Sequence, residues 1–140
     1  MAVVALPLAF LLGIVSGLRT FTAPAVLWIM RHRGSLAFVL VAAAVLEDFF
    51  DLHPNAPPRS AISSIAVRLI SGAFVGWWVA AATNISPASG AIAGVAGALV
   101  GTYGGLAIRR RAIKSIGNRA SGLLEDIVAI AASVAIVAQL

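Results

Sequence analysis

The sequence contains no cysteine and few charged residues. Its 140 residues include one Tyr and two His, and only 11% of them are Asp, Glu, Lys or Arg. The absence of cysteine excludes disulfides, thiolate catalysis and cysteine-ligated metal. The two histidines, His32 and His53, stand alone and do not predict a metal site. We therefore expect neither a metal nor a cofactor.

The low charge content argues against an ordinary soluble domain. About a quarter of the residues in soluble domains are charged, whereas 61% of this chain is hydrophobic and its mean hydropathy is +1.02. A soluble chain of this length has too little interior to bury so much apolar surface. We predict an all-α, polytopic transmembrane bundle that forms a single domain over residues 1–140, surrounded by lipid in the cytoplasmic (inner) membrane.

The net charge of +5 comes from ten basic and five acidic residues. Basic loops beside anionic lipid account for this excess. No basic face of a folded soluble module is visible, so we do not expect nucleic-acid binding. Met1 leads directly into apolar residues without a basic region, and we therefore expect no cleaved signal peptide.

Five apolar stretches predict four to five membrane segments. They cover about Ala2–Met30, Ser35–Phe50, Ala61–Thr83, Ala88–Ile108 and Ser121–Leu140. The first stretch is too long for one straight crossing and contains glycine, hydroxyl residues and Pro24, which predicts a broken or kinked first helix. The second is short, so we expect it to be tilted or re-entrant. A basic loop is predicted from Arg109 to Ala120.

The basic loops conflict with five simple crossings. Such a topology puts Arg31 and Arg33 on the face opposite to the Arg109–Ala120 loop, whereas the positive-inside rule favours the cytoplasm for both. A re-entrant second segment removes the conflict. Two half-helices in the first segment would change only the side of the N-terminus, and insertion in both orientations is a third alternative.

Charged residues lie inside or beside the apolar stretches. A charge at the centre of a bilayer costs about 2.5–3.5 kcal/mol on insertion scales. Such residues are therefore paired or used, and we predict a transporter or channel for a small ion or polar solute. Candidates for the pathway are Arg19, Thr20, Thr22, Glu47, Asp48, Asp51, Arg68, Tyr103, Glu125 and Asp126.

The arginines allow two interpretations. Arg19, among hydroxyl residues at a predicted helix break, is suited to bind an anion. The structural alternative is a partner that neutralises Glu47 or Glu125. For Arg68 the default interpretation is snorkelling to the membrane surface, with a role in the pathway as the alternative.

The acidic residues also allow two interpretations. Glu47 and Asp51 are four residues apart and share one helix face, where they would bind a cation or proton; the alternative is that the second segment ends in water there. Glu125 and Asp126 stand near the predicted start of the last segment, where the positive end of a helix favours acids, so helix capping is their alternative role.

Glycines recur at helical spacing, four residues apart in several places. Small residues at this spacing allow helices to approach closely within lipid. We predict helix packing, within the protomer or in a homo-oligomer, with the wall of a narrow pore as the alternative. The packing residues are Gly13, Gly17, Gly72, Gly76, Gly90, Gly94, Gly97, Gly101 and Gly105.

Several segments resemble an uncharacterised bacterial membrane family, domain of unknown function 4126. The run Ser-Gly-Leu-Arg-Thr-Phe-Thr-Ala-Pro-Ala over Ser16–Ala25 resembles the opening signature of that family. Further similar segments are Leu46-Glu47 followed by Asp51 and Pro54, Arg68 with Ser71-Gly72-Ala73, and Leu123-Leu124-Glu125-Asp126. The resemblance implies a small multi-pass helical protein and no established activity.

Motifs of common enzyme classes are missing. The sequence contains no Gly-x-Ser-x-Gly, no His-Glu-x-x-His and no Walker motif, which favours a protein without enzymatic activity. Two alternatives to transport are kept. One is a membrane-embedded enzyme acting on a lipid or polyprenyl phosphate headgroup, and the other is a non-catalytic subunit of a membrane complex.

Overall fold

Six α-helices make up the described part of the chain. The computed structural model describes residues 2–32, 34–51, 53–58 and 60–140. The helices are α1 (Ala2–Leu18), α2 (Thr22–Arg31), α3 (Ser35–Asp51), α4 (Ile62–Ala82), α5 (Pro87–Ile116) and α6 (Asn118–Val137). These residues contain no strand, so the all-α prediction is confirmed.

Three helices are long and apolar enough to cross a membrane. Within the described residues these are α4, α5 and α6, whereas α1 is a shorter apolar helix. Large apolar side chains such as Phe38, Ile70 and Ile92 lie exposed on the outside of the bundle, where a membrane protein meets lipid. Both observations support the prediction of a membrane protein. The count of four to five membrane segments stays a prediction.

Helices α1, α4 and α5 pack closely through positions without a side chain. A Cβ atom on Gly72 of α4 would lie 2.6 Å from the carbonyl oxygen of Gly94 and 2.7 Å from the Cβ of Ala98 in α5. On α1, a Cβ atom on Gly17 would lie 2.7 Å from the Thr102 amide nitrogen of α5. All nine glycines predicted to pack helices stand where an added Cβ would collide with an atom of another helix.

The same contacts give the directions of the three central helices. Gly13 lies against Gly94, and Gly17, one turn further along α1, lies against Thr102, so α1 and α5 are parallel. Gly76, which follows Gly72 in α4, lies against Gly90. Helix α4 therefore runs antiparallel to both α1 and α5.

The chain reverses direction between α1 and α2. At the start of α2, the Ser71 hydroxyl of α4 donates to the Thr20 carbonyl at 2.5 Å. At its end, the ring of His32 lies 5.7 Å from that of Trp78 in α4. Helix α2 thus runs parallel to α4 and antiparallel to α1. Pro24 stands in the first turn of α2, where the missing amide hydrogen removes no helix bond.

The segment predicted as a basic loop is helical. Helix α5 continues to Ile116 and α6 begins at Asn118, so that only Gly117 separates them, with φ 85°. The loop prediction was wrong because the polarity of this segment was taken as the end of a helix. At about 1.5 Å per residue a helix of this length exceeds the ~30 Å hydrocarbon layer, so α5 is longer than one straight crossing requires.

Candidate functional site: a buried charge cluster at the chain reversal

The helical hydrogen bonding is interrupted at Thr20 and Phe21, whose amides bond to a side chain of another helix. The amides of Thr20 and Phe21, just before α2, donate to the two carboxylate oxygens of Glu47 in α3, at 2.9 and 3.2 Å. A helix leaves its first amide groups without internal partners and carries partial positive charge there. Glu47 meets both needs, because it accepts two bonds and supplies the opposite charge.

A positive charge stabilises the C-terminal end of α1. The Arg68 guanidinium of α4 donates from Nη1 to the Gly17 carbonyl and, at 3.0 Å, to the Leu18 carbonyl. Its Nη2 lies 3.6 Å from Glu47 Oε1. Arg68 is only 2% exposed, so the prediction that it snorkels to the surface was wrong. The last carbonyls of α1 have no partner within the helix, and their bonds to Arg68 hold this side chain inside the bundle.

Arg19 projects from the reversal into a group of carboxylates. Its Nη1 lies 2.9 Å from both Asp48 Oδ1 and Asp51 Oδ2, and its Nε lies 2.5 Å from Asp126 Oδ1. Its Nη2 donates to the Gly122 carbonyl of α6 at 3.3 Å. Arg19 is 2% exposed. Arg19 pairs with neither Glu47 nor Glu125, the two partners predicted for it.

A third arginine, Arg109 of α5, completes the cluster. Its Nη1 lies 3.1 Å from Glu125 Oε2 and 3.4 Å from Asp51 Oδ2. Its Nη2 donates to Asn118 Oδ1 at 3.3 Å. Asp51 accepts from both Arg19 and Arg109 and so links the two halves of the cluster.

All five acidic residues of the chain meet in this charge cluster. In the described part of the chain they contact the guanidinium groups of Arg19, Arg68 and Arg109. Asp48 and Asp126 meet at Arg19, which contacts both carboxylates.

Two cavities border the charge cluster. A cavity of about 460 Å³, here called the polar cavity, lies between α3, α4 and residues 56–57 and is lined in part by Glu47, Asp51, Ser64 and Arg68. On the other side a smaller, largely apolar cavity of about 160 Å³ reaches Arg109 and Glu125. Each cavity is therefore lined by different members of the cluster.

The structure brings together most of the residues predicted from sequence. The predicted residues in the cluster or its backbone contacts are Arg19, Thr20, Glu47, Asp48, Asp51, Arg68, Glu125 and Asp126. Tyr103 is not among them: it is 54% exposed on α5. Thr22 is the first residue of α2 and is partly buried, and it makes none of the cluster contacts given above.

The capping role considered for Glu125 and Asp126 was wrong. Helix α6 begins at Asn118, and its first turn contains no acidic residue. Glu125 and Asp126 therefore lie about two turns inside the helix, beyond the reach of the terminal amides. Their partners are Arg109 and Arg19 instead.

Sequence reasoning missed Arg109, Asn118 and the carbonyl of Gly122. Arg109 was placed in a loop, although it follows Gly101 and Gly105 at four-residue spacing and so lies on the same helix face. This spacing was the signal that could have found it. No such spacing in the sequence marked Asn118 or Gly122 as part of the cluster. No group of three or more His, Cys, Asp or Glu suited to a metal ion occurs in the described part of the chain.

Comparison with known proteins returned no match: no family model, no curated protein and no solved structure is similar to this chain. The resemblance to domain of unknown function 4126 therefore stays a prediction. The function has to be argued from the charge cluster and its surroundings.

Proposed function

We propose that the chain is a multi-pass protein of the cytoplasmic membrane that carries a small cation through the charge cluster. One observation supports this most directly: every acidic residue of the chain belongs to one charge cluster beside the polar cavity, built around buried arginines. Carboxylates inside a membrane bundle are expensive and are typical of ion and proton pathways. Carboxylate oxygens are ligands for cations, so the solute that we propose is a cation.

One carboxylate of the cluster is within reach of solvent. Asp48 lies at the outer side, where its side chain is 42% exposed, and it contacts Arg19, which also contacts Asp126. A cation that reaches Asp48 competes for the carboxylate with Arg19 and with protons. Binding and release of a proton would then accompany binding and release of the cation.

The helix directions support one membrane topology. We propose that α1, α4, α5 and α6 cross the bilayer and that α2 and α3 form a hairpin, entering and leaving at the end that holds the charge cluster. The exposed basic residues Arg110, Arg111, Lys114 and Arg119 extend beyond that end. The positive-inside rule therefore favours the cytoplasm for it.

The hairpin of α2 and α3 places one basic residue against the positive-inside rule. Arg31 lies at the tip, with its guanidinium 5.8 Å from the ring of Trp78, and so stands at the opposite end of the bundle from Arg109. Contact with an aromatic ring offsets part of the cost of a cation there.

We also propose a homo-oligomer, because the outward apolar face of α3 contacts no other helix of the described chain.

The alternatives receive less support from the contacts. An enzyme acting on a phosphate headgroup needs a guanidinium available to an anion, yet Arg19 and Arg109 each contact at least two carboxylates and Arg68 contacts Glu47. A non-catalytic subunit would need no cavity beside the charges. Neither is therefore our proposal.

Cation flux into proteoliposomes tests the proposal. Vesicles containing the protein and a pH-sensitive dye would receive sodium, potassium, ammonium or guanidinium salts in turn. We expect at least one of these cations to drive proton movement, and Asp48→Asn to abolish it, since an amide cannot exchange a proton. Arg110→Gln is the control, because Arg110 is exposed and lies outside the cluster.

Circular dichroism and gel filtration would show whether both variants keep the fold. Equal flux in Asp48→Asn and Arg110→Gln would contradict the proposal. So would the absence of flux in the unmodified protein with all four cations.

A further inference from the structure

Helix α3 makes little apolar contact with the rest of the bundle. In the part of the chain that the structure describes, it packs appreciably only against α2. Of its 17 residues, all of which are described, only Ala37 in the first turn is buried. Large side chains further along, such as Phe38 and Phe49, are 80% and 70% exposed. Packing therefore holds α3 at its N-terminal end and contributes little along the remainder.

Lipid gives α3 no apolar reason to stay beside α4. Hydrocarbon chains are as apolar as the exposed side chains of α3, so exchanging protein for lipid around them costs little. The polar cavity and a second cavity of about 290 Å³ already lie between parts of α3 and α4. Elements with few buried contacts belong to the least stable part of a structure and are the ones that move. The position of α3 is therefore set by polar contacts.

Three acidic residues near the C-terminal end of α3 supply these contacts. They connect α3 with three other parts of the bundle, which are the chain reversal, α4 and α5. The acids are Glu47, Asp48 and Asp51, and their partners are the reversal amides, Arg19, Arg68 and Arg109.

We propose that α3 is a latch that these three carboxylates hold against the bundle. Loss of their negative charge releases the C-terminal half of α3, which then turns away about its N-terminal end and widens the polar cavity. The connection from α3 to α4, residues 52–61, permits this movement, because a fully extended chain of that length reaches about 33 Å.

Each of the three arginines has further partners outside α3. These are Asp126 and the Gly122 carbonyl for Arg19, the last carbonyls of α1 for Arg68, and Glu125 with Asn118 for Arg109. Removing one partner of a buried ion pair is costly because it leaves a charge uncompensated. Here the arginines keep partners, so the other five helices can stay folded while α3 moves.

The latch is distinct from the proposed cation transport. Distances between helices are measured without any flux, so failure of one proposal leaves the other intact. Movement of α3 in a protein without flux would overturn only the transport proposal, and flux through a protein whose α3 stays in place would overturn only the latch. A cation that displaces the arginines from these carboxylates would also release α3, and this consequence alone rests on the transport proposal.

Double electron–electron resonance between two spin labels tests the latch. The chain contains no cysteine, so introduced cysteines are the only labelled sites. Phe49→Cys on α3 and Val100→Cys on α5 report the movement, since both side chains are exposed. The reference pair is Ile70→Cys on α4 with Val100→Cys, because glycine contacts hold α4 and α5 together. Labelled protein in nanodiscs is diluted with an excess of unlabelled protein, so that distances within one chain are measured even in an oligomer.

The variant that removes the charge carries Glu47→Ala, Asp48→Ala and Asp51→Ala together. We expect the distance between the α3 and α5 labels to broaden and its mean to increase by at least about 5 Å, the length of one helical turn. The distance between the α4 and α5 labels should stay as in the protein with its acids intact.

Leu36→Ala combined with Leu40→Ala is the matched control. Both leucines are on α3 and line the space toward α4, so their removal takes away apolar contact and no charge. Both label distances should then remain those of the protein with its leucines intact.

Three results would overturn the latch. One is an unchanged distance between the α3 and α5 labels in the triple variant. Another is an equal increase in the leucine control, because packing and not charge would then hold α3. The third is a changed distance between the α4 and α5 labels in the triple variant, since the remaining partners of the arginines would then not keep the bundle folded.

Discussion

The close contact of α4 and α5 makes a specific prediction for Gly72→Ala. The new Cβ would stand 2.6 Å from the Gly94 carbonyl oxygen and 2.7 Å from the Ala98 Cβ, whereas ordinary contact begins at 3.4 Å. Neither neighbour is the end of a flexible side chain, so the two backbones have to separate by roughly 0.8 Å. A gap of this size forfeits about a quarter to a half of each affected dispersion contact.

The expected loss of stability combines two opposing effects. Overpacking in a close-packed interior costs about 1–3 kcal/mol and occasionally more. Replacing glycine by alanine inside a helix returns about 1 kcal/mol through helix propensity. Separating the helices would also open the close contact between Gly76 and Gly90. We therefore expect the upper part of the overpacking range and a net loss of about 1–2 kcal/mol.

Gly104→Ala is the matched control and should have the opposite sign. Gly104 also lies in α5, but an added Cβ there would meet no atom within 4 Å. Only the propensity effect remains, so this variant should gain about 0.5–1 kcal/mol. Reversible unfolding in mixed micelles, followed by circular dichroism, measures both changes. If Gly72→Ala is as stable as Gly104→Ala, then α4 and α5 are not packed as described.

Three further changes follow from the cluster and its surroundings. Arg19→Met removes the guanidinium shared by Asp48, Asp51 and Asp126, so unfolding should become easier by about 3–5 kcal/mol, whereas Arg110→Gln should leave the unfolding midpoint unchanged. Ser71→Ala leaves the Thr20 carbonyl without its donor and should lose about 1–3 kcal/mol in the same unfolding assay; a loss no greater than that of Ser63→Ala would contradict the bond. Tyr103→Phe should leave cation flux in proteoliposomes unchanged, because Tyr103 faces outward, and a loss of flux would return it to the pathway.

The fold class and much of the cluster could be predicted from the sequence because lipid restricts the choices. Few structures other than helices satisfy backbone groups in hydrocarbon, so long apolar stretches predicted α4 and α6 to within a few residues. Buried charge is expensive enough that Arg19, Glu47 and Glu125 had to find partners in the protein. The glycine spacing similarly predicted where helices approach.

Pairing within the cluster could not be predicted, because it depends on helix directions. Once the chain turns back after Arg19, that side chain is placed beside Asp48 and Asp126, and Glu47 is placed against the freed amides. A single sequence gave no sign whether the interruption near Pro24 bends the helix or reverses it. The continuation of α5 past Ile108 was missed for a different reason, since hydropathy marks the end of the apolar part and not the end of the helix.

The reversal between α1 and α2 constrains how the protein is made. Its amides are capped by Glu47 and its carbonyls by Arg68, and both residues are synthesised well after the turn itself. Until α3 and the first two turns of α4 have left the ribosome, the turn has no protein partner and cannot rest in hydrocarbon. We therefore expect the N-terminal hairpin to wait at the water-facing surface or within the insertion machinery, and to settle into the bilayer only after α4 has been delivered.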